Sequence, residues 1–388
     1  MNLSLDASRA ARHNELPDLA ALAPPLARAA AAAEQHGVLS AQAVALLRDA
    51  GLFGLWRPRA LGGLEVDPLA FARIAETVAR IDSACAWLLM SVAVTSFDLR
   101  LASRALLDEI FADGKEPVLC ESFNRPLEAR AVDGGWQVSG AVPFMSNCRV
   151  ADWIGHTALD GERFLLMFHP AAALDVKDDW DTLGMRGTAS NTVSASDVFV
   201  PAHRAIDLGA PRTANGCFEG PLYRLPEALI TATFPPVALG VLETALAAAE
   251  ELAATHRPFA ADGASATRPL TQLALGQARA TAAAGRAYLE SVLATAWARA
   301  ESGAPFALTD KAAFFLATTH VLQTCAAACA RLARALGTAS IRRGNPLERA
   351  LRDSEVIARH AFGAEARYAS VAQAHLGLPV DFPLMAMD

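Results

Sequence analysis

At 388 residues, of which 53% are hydrophobic and 19% charged, the chain can bury a sizeable core in two or three structural units and lies far from the disordered regime. A formal net charge of −7 argues against nucleic acid or an anionic membrane as the main partner. Six cysteines are too sparse for a disulfide scaffold, and no uninterrupted apolar run reaches the roughly 18 residues of a bilayer span. Arg9, Arg12, Glu15 and Asp18 interrupt any secretory signal, so the chain is expected to be soluble and cytoplasmic.

Residues 18–115 read as helical. "LAALAPPLARAAAAAEQHG" and "SAQAVALLRDAGLFGL" repeat apolar residues at three- and four-residue spacings, the second with a Ser40 cap and a stop at Gly51. "PRALGG" (58–63) is a turn, and "DPLAFARIAETVARIDSACAWLLMSVAVTSF" continues as one or two buried helices. From Pro117 the pattern becomes that of strands. Trp136, Val138, Gly140, Val142 and Phe144 alternate on one face after Gly134–Gly135. "WIGHTALDGERFLLMFHP" reads as a hairpin about Asp160–Gly161, and "TVSASDVFVP" as a further strand, giving a small antiparallel β unit. After about residue 225, four helix-length segments bounded by Gly, Pro or Asn suggest a four-helix bundle, and their long apolar faces suggest an oligomer. The expected organisation is an N-terminal helical domain (1–116), a middle β domain (117–215) and a C-terminal four-helix-bundle domain (216–388). The order helices, strands, helices excludes a doubly wound sheet, and neither G-x-G-x-x-G after a strand nor a P-loop is found. Cys325 and Cys329, four apart on an Ala-rich helix, read as buried small residues. His156, His320 and His375 lack metal-ligand spacing with a nearby acid, so no metal is expected.

Five stretches in this order carry a resemblance: "LRDAGLFGLWRPRALGGLEVDP" (47–68), "ARIDSACAW" (79–87), "VSGAVPFMSNCRVADW" (138–153), "DTLGMRGTASNTVSASDVFVP" (181–201) and "GNPLERALRDSEVIARHAF" (344–362). Together they resemble the acyl-CoA dehydrogenase superfamily over nearly the whole chain, and within it the flavin-dependent two-component monooxygenases such as dibenzothiophene monooxygenase and phenol hydroxylase oxygenase components. The resemblance implies a mainly α fold with a central β unit, and a flavin ring between the β unit and the C-terminal helices. It places Phe144 and Ser146 of "FMSN" at the flavin, with the Ser146 hydroxyl near N5. A core position for Phe144 and a strand-end turn for Ser146 are the plain structural alternatives. Ser122, Arg186, Ser190 and Arg257 fall where the cofactor loop and phosphates pass in the family. Trp180 and Asn147 are expected at the substrate, Trp180 as an apolar wall or else a loop anchor. In the dehydrogenases the last helix carries Arg-Asp and then a glutamate base. Here that position is Ala361, which cannot take a proton, while "ITATFPPVALG" holds no acid and Glu227 lies one turn early. His360 precedes it, seven residues after Asp353, so both are expected on one helix face about 10 Å apart. A histidine there can exchange a proton near neutral pH. Asp353 and Arg352 read as structural.

The implied function is the oxygenase component of a two-component monooxygenase. Reduced FMN or FAD from a separate NAD(P)H-flavin reductase would react with O2 through a C4a-hydroperoxyflavin to oxygenate a small aromatic or heteroatom-containing substrate. Ser146 and His360 would be its catalytic residues, and a homotetramer its assembly. The alternative is an acyl-CoA dehydrogenase-like dehydrogenase or oxidase with a non-standard base.

Overall fold

The computed structural model describes residues 18–114, 116–210, 215–259 and 262–387. Arg9, Arg12 and Glu15, on which part of the signal-segment reading rests, lie outside them. Among the described residues the main helices are α1 (Leu19–Ala30), α2 (Ala41–Asp49), α3 (Pro68–Ile81), α4 (Ser83–Asp98), α5 (Arg104–Ile110), α6 (Phe234–Thr255), α7 (Pro269–Ser302), α8 (Leu308–Leu336), α9 (Pro346–Ile357) and α10 (Ala366–His375). The chain forms two compact units. One holds residues up to 66, 87–182 and 186–223; the other holds 67–86, 183–185 and 224 onward.

In the first unit, Ser40 caps α2 as its sequence predicts, its Oγ accepting the Ala43 N–H at 3.1 Å, and Gly51 beyond the helix takes a left-handed φ of 72°. The strands are β1 (Leu119–Val132), β2 (Gly135–Val142), β3 (Trp153–Asp160), β4 (Arg163–Pro170), β5 (Asp175–Val176), β6 (Val193–Pro201) and β7 (Ala205–Asp207), in the order β5-β6-β2-β1-β3-β4-β7. The expected hairpin turns at Gly134 and Gly161 are present, with φ of 76° and 60°. The sheet is mixed rather than antiparallel, because β1 pairs parallel with β3. The cause is the segment 143–152, which returns the chain to the start of β1 instead of turning it back. There Val118 O accepts the N–H groups of Asp152 (2.8 Å) and Trp153 (3.2 Å), and the Asp152 carboxylate accepts the Val118 N–H at 2.7 Å. One sheet face buries Val138, Val142, Ile154, Met167 and Val200. The other packs Leu119, Leu166 and Phe168 against Leu106, Leu107 and Ile110 of α5.

In the second unit α8 is the central helix, packed by α6, α7, α9 and α10, while α3 packs on α6. That last approach requires Gly240, where a Cβ would lie 2.4 Å from the Ala79 Cβ. Arg286 of α7 forks onto Glu76 of α3 and Glu243 of α6, each at 2.7 Å. The fourth predicted helical segment is broken into α9 and α10 around residues 358–365. Gly363 seats the break against α8, since a Cβ there would lie 2.3 Å from Leu322 Cδ2.

Three helical stretches, Ser83–Leu101, Glu227–Thr255 and Leu308–Ile341, are long and apolar enough to cross a membrane by composition, contrary to the sequence expectation. Their apolar windows are 94%, 89% and 67% buried inside the fold, which accounts for their hydrophobicity as core.

Candidate flavin site

Strand β2 ends at Val142, and the chain leaves the sheet there through "PFMSN". Phe144 and Asn147 have φ of 59° and 65°, and Ala189 of the facing loop has 44°. Non-glycine residues in this region each cost of order 1–3 kcal/mol and persist only where the surroundings enforce them. Here two loops enforce one another. Met145 N–H donates to Asn191 O (3.1 Å), Asn147 N–H to Thr188 O (2.7 Å), and the Cys148 thiol to Ala189 O (3.3 Å).

The positive φ takes Phe144 off the alternating strand face on which the sequence pattern placed it. Its ring is 62% exposed and meets Trp180 edge-on, centroids 6.0 Å apart. Ser146 is half-buried beside this pair. Its Oγ accepts the Trp87 indole N–H at 3.0 Å and lies 2.9 Å from Ser190 Oγ, which lies 2.7 Å from Thr188 Oγ1. Ser146 and Ser190, predicted separately, are thus in direct contact. Trp87 went unassigned in the sequence, although it closes the "ARIDSACAW" stretch; nothing in that stretch shows that an indole donor is needed 59 residues on.

The remaining predicted positions are placed as follows. Asn147 is buried, its amide donating to Ser91 Oγ at 2.9 Å. Ser122 Oγ accepts the Asn124 N–H at 3.3 Å, at the irregularity of β1 between Ser122 and Leu127. Arg186 bonds Asp181 (2.5 Å), Thr182 O (3.0 Å) and Glu34 O (3.4 Å), contacts that scaffold its own loop. Arg257 is exposed just past α6. Asn191 is 1% exposed, and its Nδ2 has no partner among the described residues. An aromatic pair with Phe144 exposed and Trp180 half-buried, a hydroxyl cluster with one open member and an unmatched buried amide donor suit a planar heteroaromatic ring with hydrogen-bonding edges, and so fit a flavin.

In the second unit His360 lies in a turn beyond the end of α9, not on one helix face with Asp353 as its spacing predicted. Its ring packs at a tilt of 36° on Phe234, centroids 4.3 Å apart, and meets Phe362 edge-on at 4.9 Å. Burial among these rings pushes the imidazole pKa down to about 4. The Phe362 N–H donates to Nδ1 at 3.3 Å, which places the ring proton on Nε2. The neighbouring Ala361 is exposed, and Glu227 is 2% exposed in a 3-10 stretch.

Asp353 and Arg352 are structural, as their sequence context suggested. The Asp353 carboxylate accepts from Ser83 Oγ (2.7 Å) and Met185 N–H (2.6 Å), with Arg349 at 3.4 Å; burial raises its pKa against the pull of that guanidinium. Arg352 pairs with Glu348 at 2.6 Å and donates to Leu183 O at 3.0 Å. Among the described residues all six cysteines are free and buried.

Known proteins align with this arrangement. The acyl-CoA dehydrogenase N-terminal domain matches residues 20–103, and the acyl-CoA dehydrogenase C-terminal domain matches residues 232–365. The chain belongs to the acyl-CoA dehydrogenase superfamily. Its relatives include flavin-dependent monooxygenases. Indole-3-acetate monooxygenase of Acinetobacter baumannii is 26% identical over 379 residues, 95% of this chain and 96% of the relative. The flavin-dependent monooxygenase oxygenase subunit HsaA of Mycobacterium tuberculosis is 31% identical over 214 residues, 53% of this chain and 54% of the relative. Among solved structures, XiaF of Streptomyces sp. in complex with FADH2 and glycerol superposes with a TM-score of 0.86 at 25% identity, covering 98% of this chain and 97% of XiaF.

Proposed function

We propose that the chain is the oxygenase component of a two-component flavin-dependent monooxygenase that acts on a small aromatic substrate. Reduced FMN or FAD comes from a separate NAD(P)H-flavin reductase, and the working assembly is a cytoplasmic homotetramer. The carrying observation is the pair at 360–361: where the dehydrogenases hold a carboxylate base, this chain has an alanine beside a histidine kept neutral. A site without that base is poorly equipped to remove an acyl α-proton.

The bound reduced flavin supplies the activation of O2. The chain's residues do the rest. Phe144 and Trp180 offer an aromatic wall on which a flat ring can pack. Ser146 meets the N5 edge with a hydroxyl whose other contacts are fixed by Trp87 and Ser190. His360 offers its Nε2–H to an oxygen of the substrate. Ser122, Arg186 and Arg257 are proposed nearer the ribityl and phosphate end, Arg186 through the loop it braces. The names of indole-3-acetate monooxygenase and of the resorcinol hydroxylase oxygenase component of Rhizobium sp., 28% identical over 372 residues, favour indole carboxylates and phenols as first substrates to try.

The test mixes protein and reduced flavin with O2, with and without such substrates. Support is a protein-dependent delay in the return of oxidised flavin absorbance, and a product carrying one added oxygen. Oxidation at the rate of free flavin with full peroxide yield refutes the proposal. Anaerobic bleaching of bound oxidised flavin by an acyl thioester would instead establish a dehydrogenase.

A further inference from the structure

We infer that Ser190 is a positioning residue that sets which way the Ser146 hydroxyl points, through a hydroxyl chain Thr188–Ser190–Ser146 of reversible polarity. This rests on the flavin reading above. A serine oxygen has one hydrogen to give and two lone pairs to receive with. On Ser146, one lone pair is occupied by the Trp87 indole at 3.0 Å, because an indole N–H can only donate. One hydrogen and one lone pair are left, and Ser190 Oγ at 2.9 Å takes one of the two.

If Ser190 donates to Ser146, the Ser146 hydrogen is left for a ligand. If Ser190 accepts, the Ser146 lone pair is left. Ser190 can do either because Thr188 Oγ1, 2.7 Å away, completes it on the other side. Thr188 and Ser190 are 1% and 5% exposed, whereas Ser146 is half-open. Water therefore has little access to the inner two hydroxyls to substitute for a lost partner. The oxygens need not move between the two states; three hydroxyl rotors turn.

A ligand edge that carries N–H in one redox state and a bare nitrogen in the other needs such a neighbour. Flavin N5 is that edge. Against N5–H, Ser146 accepts and its own hydrogen goes to Ser190. Against bare N5, Ser146 donates and Ser190 fills its second lone pair. The two states depend unequally on Ser190. Without it, the first leaves the Ser146 O–H with no protein acceptor, while the second leaves only an unfilled lone pair, which is the smaller penalty.

The experiment measures Kd for oxidised and reduced flavin separately, the latter anaerobically, in wild type, Ser190→Ala, Ser190→Thr and Thr188→Val. For Ser190→Ala, reduced-flavin affinity should fall about fivefold, as expected for one neutral hydrogen bond. Oxidised-flavin affinity should change by less than about twofold. Thr188→Val should move the ratio the same way by less, and Ser190→Thr, which keeps a hydroxyl, should restore it. Thr188→Val also guards against a Ser190→Ala that fails to fold. Equal loss of both redox forms in the variants, or no loss, overturns the inference and leaves the flavin site standing. Wild-type protein that binds neither form overturns both.

Discussion

At pH 7 a histidine of ordinary pKa near 6.5 is protonated in about one molecule in four. With its pKa pushed down to about 4, His360 is protonated in about one in a thousand. Delivering a proton as imidazolium would forfeit nearly all of the active population, whereas donating a hydrogen bond from neutral Nε2–H would not. The perturbation is to replace His360 by Gln, whose amide can reach toward the Nε2 position, and by Ala, which removes the donor. Loss of a hydrogen bond to an oxygen that gains charge is worth about 1.5–3 kcal/mol, roughly ten- to a hundredfold in rate. The Ala variant should show that loss in substrate oxygenated per flavin oxidised, with the balance appearing as peroxide, and the Gln variant should retain part of it. The assay is this coupling ratio from pH 5 to 8. Wild type should be flat in that range as far as His360 is concerned. An acidic limb centred near 6.5 in wild type that vanishes in His360→Gln would refute the reasoning, because it would show an imidazolium at work.

Three further outcomes follow from the packing. Asp353→Ala strips acceptors from Ser83 and the Met185 N–H and removes one of two carboxylates at Arg349, which keeps Asp82 at 2.8 Å. It should cost about 2–4 kcal/mol in denaturant unfolding, as two buried donors lose their acceptor, against about 1–2 kcal/mol for Asp353→Asn, which keeps one acceptor. Gly184→Ala would set a Cβ 2.4 Å from the Arg352 carbonyl carbon and oxygen, an overpacking worth about 1–3 kcal/mol in the same assay. The third concerns His156 and His169, whose Nε2 atoms lie 2.7 Å apart. Burial holds them at about 4 and about 3, the latter helped by the charges of His156 and Arg204. Because these folded-state values lie below the unfolded 6.5, the unfolded chain binds more protons. The stability they confer is complete above pH 6.5 and is lost as pH falls toward 4 and 3. Unfolding at pH 5.5 should take up nearly two more protons, about 1.8, in wild type than in His156→Leu/His169→Leu, and equal uptake would contradict the burial.

The helices were legible wherever local rules decide them. Ser40 capped α2, Gly51 ended it, and Gly161 turned the β3–β4 hairpin as the residue types required. Strand direction was not legible, because the parallel β1–β3 pairing depends on where 143–152 carries the chain, and period-2 patterns are the same for both directions. The break in the last helical segment was hidden for a related reason. "RDSEVIARHAFGAEARYAS" keeps apolar residues at helical spacing, and it is the seat of Gly363 on Leu322 that interrupts it. Of the candidate site, Ser146 and Ser190 were singled out through the family resemblance of "FMSN" and "TAS", because a serine at a strand end serves equally as a turn residue and local rules do not separate the two uses. The inversion of Phe144 and the indole at Trp87 were invisible, being consequences of contacts 40 to 60 residues distant.

The left-handed residues Phe144, Asn147, Met185 and Ala189 also bear on how this protein can diversify. A backbone in that region tolerates glycine and asparagine and rejects β-branched residues, so valine, isoleucine and threonine are closed to these four positions whatever the substrate. Saturation libraries meant to retune specificity are better spent on Trp180 and its neighbours, where the backbone sets no such filter. Exchanging Ala189 for glycine is instead a route to a sturdier parent from which to begin.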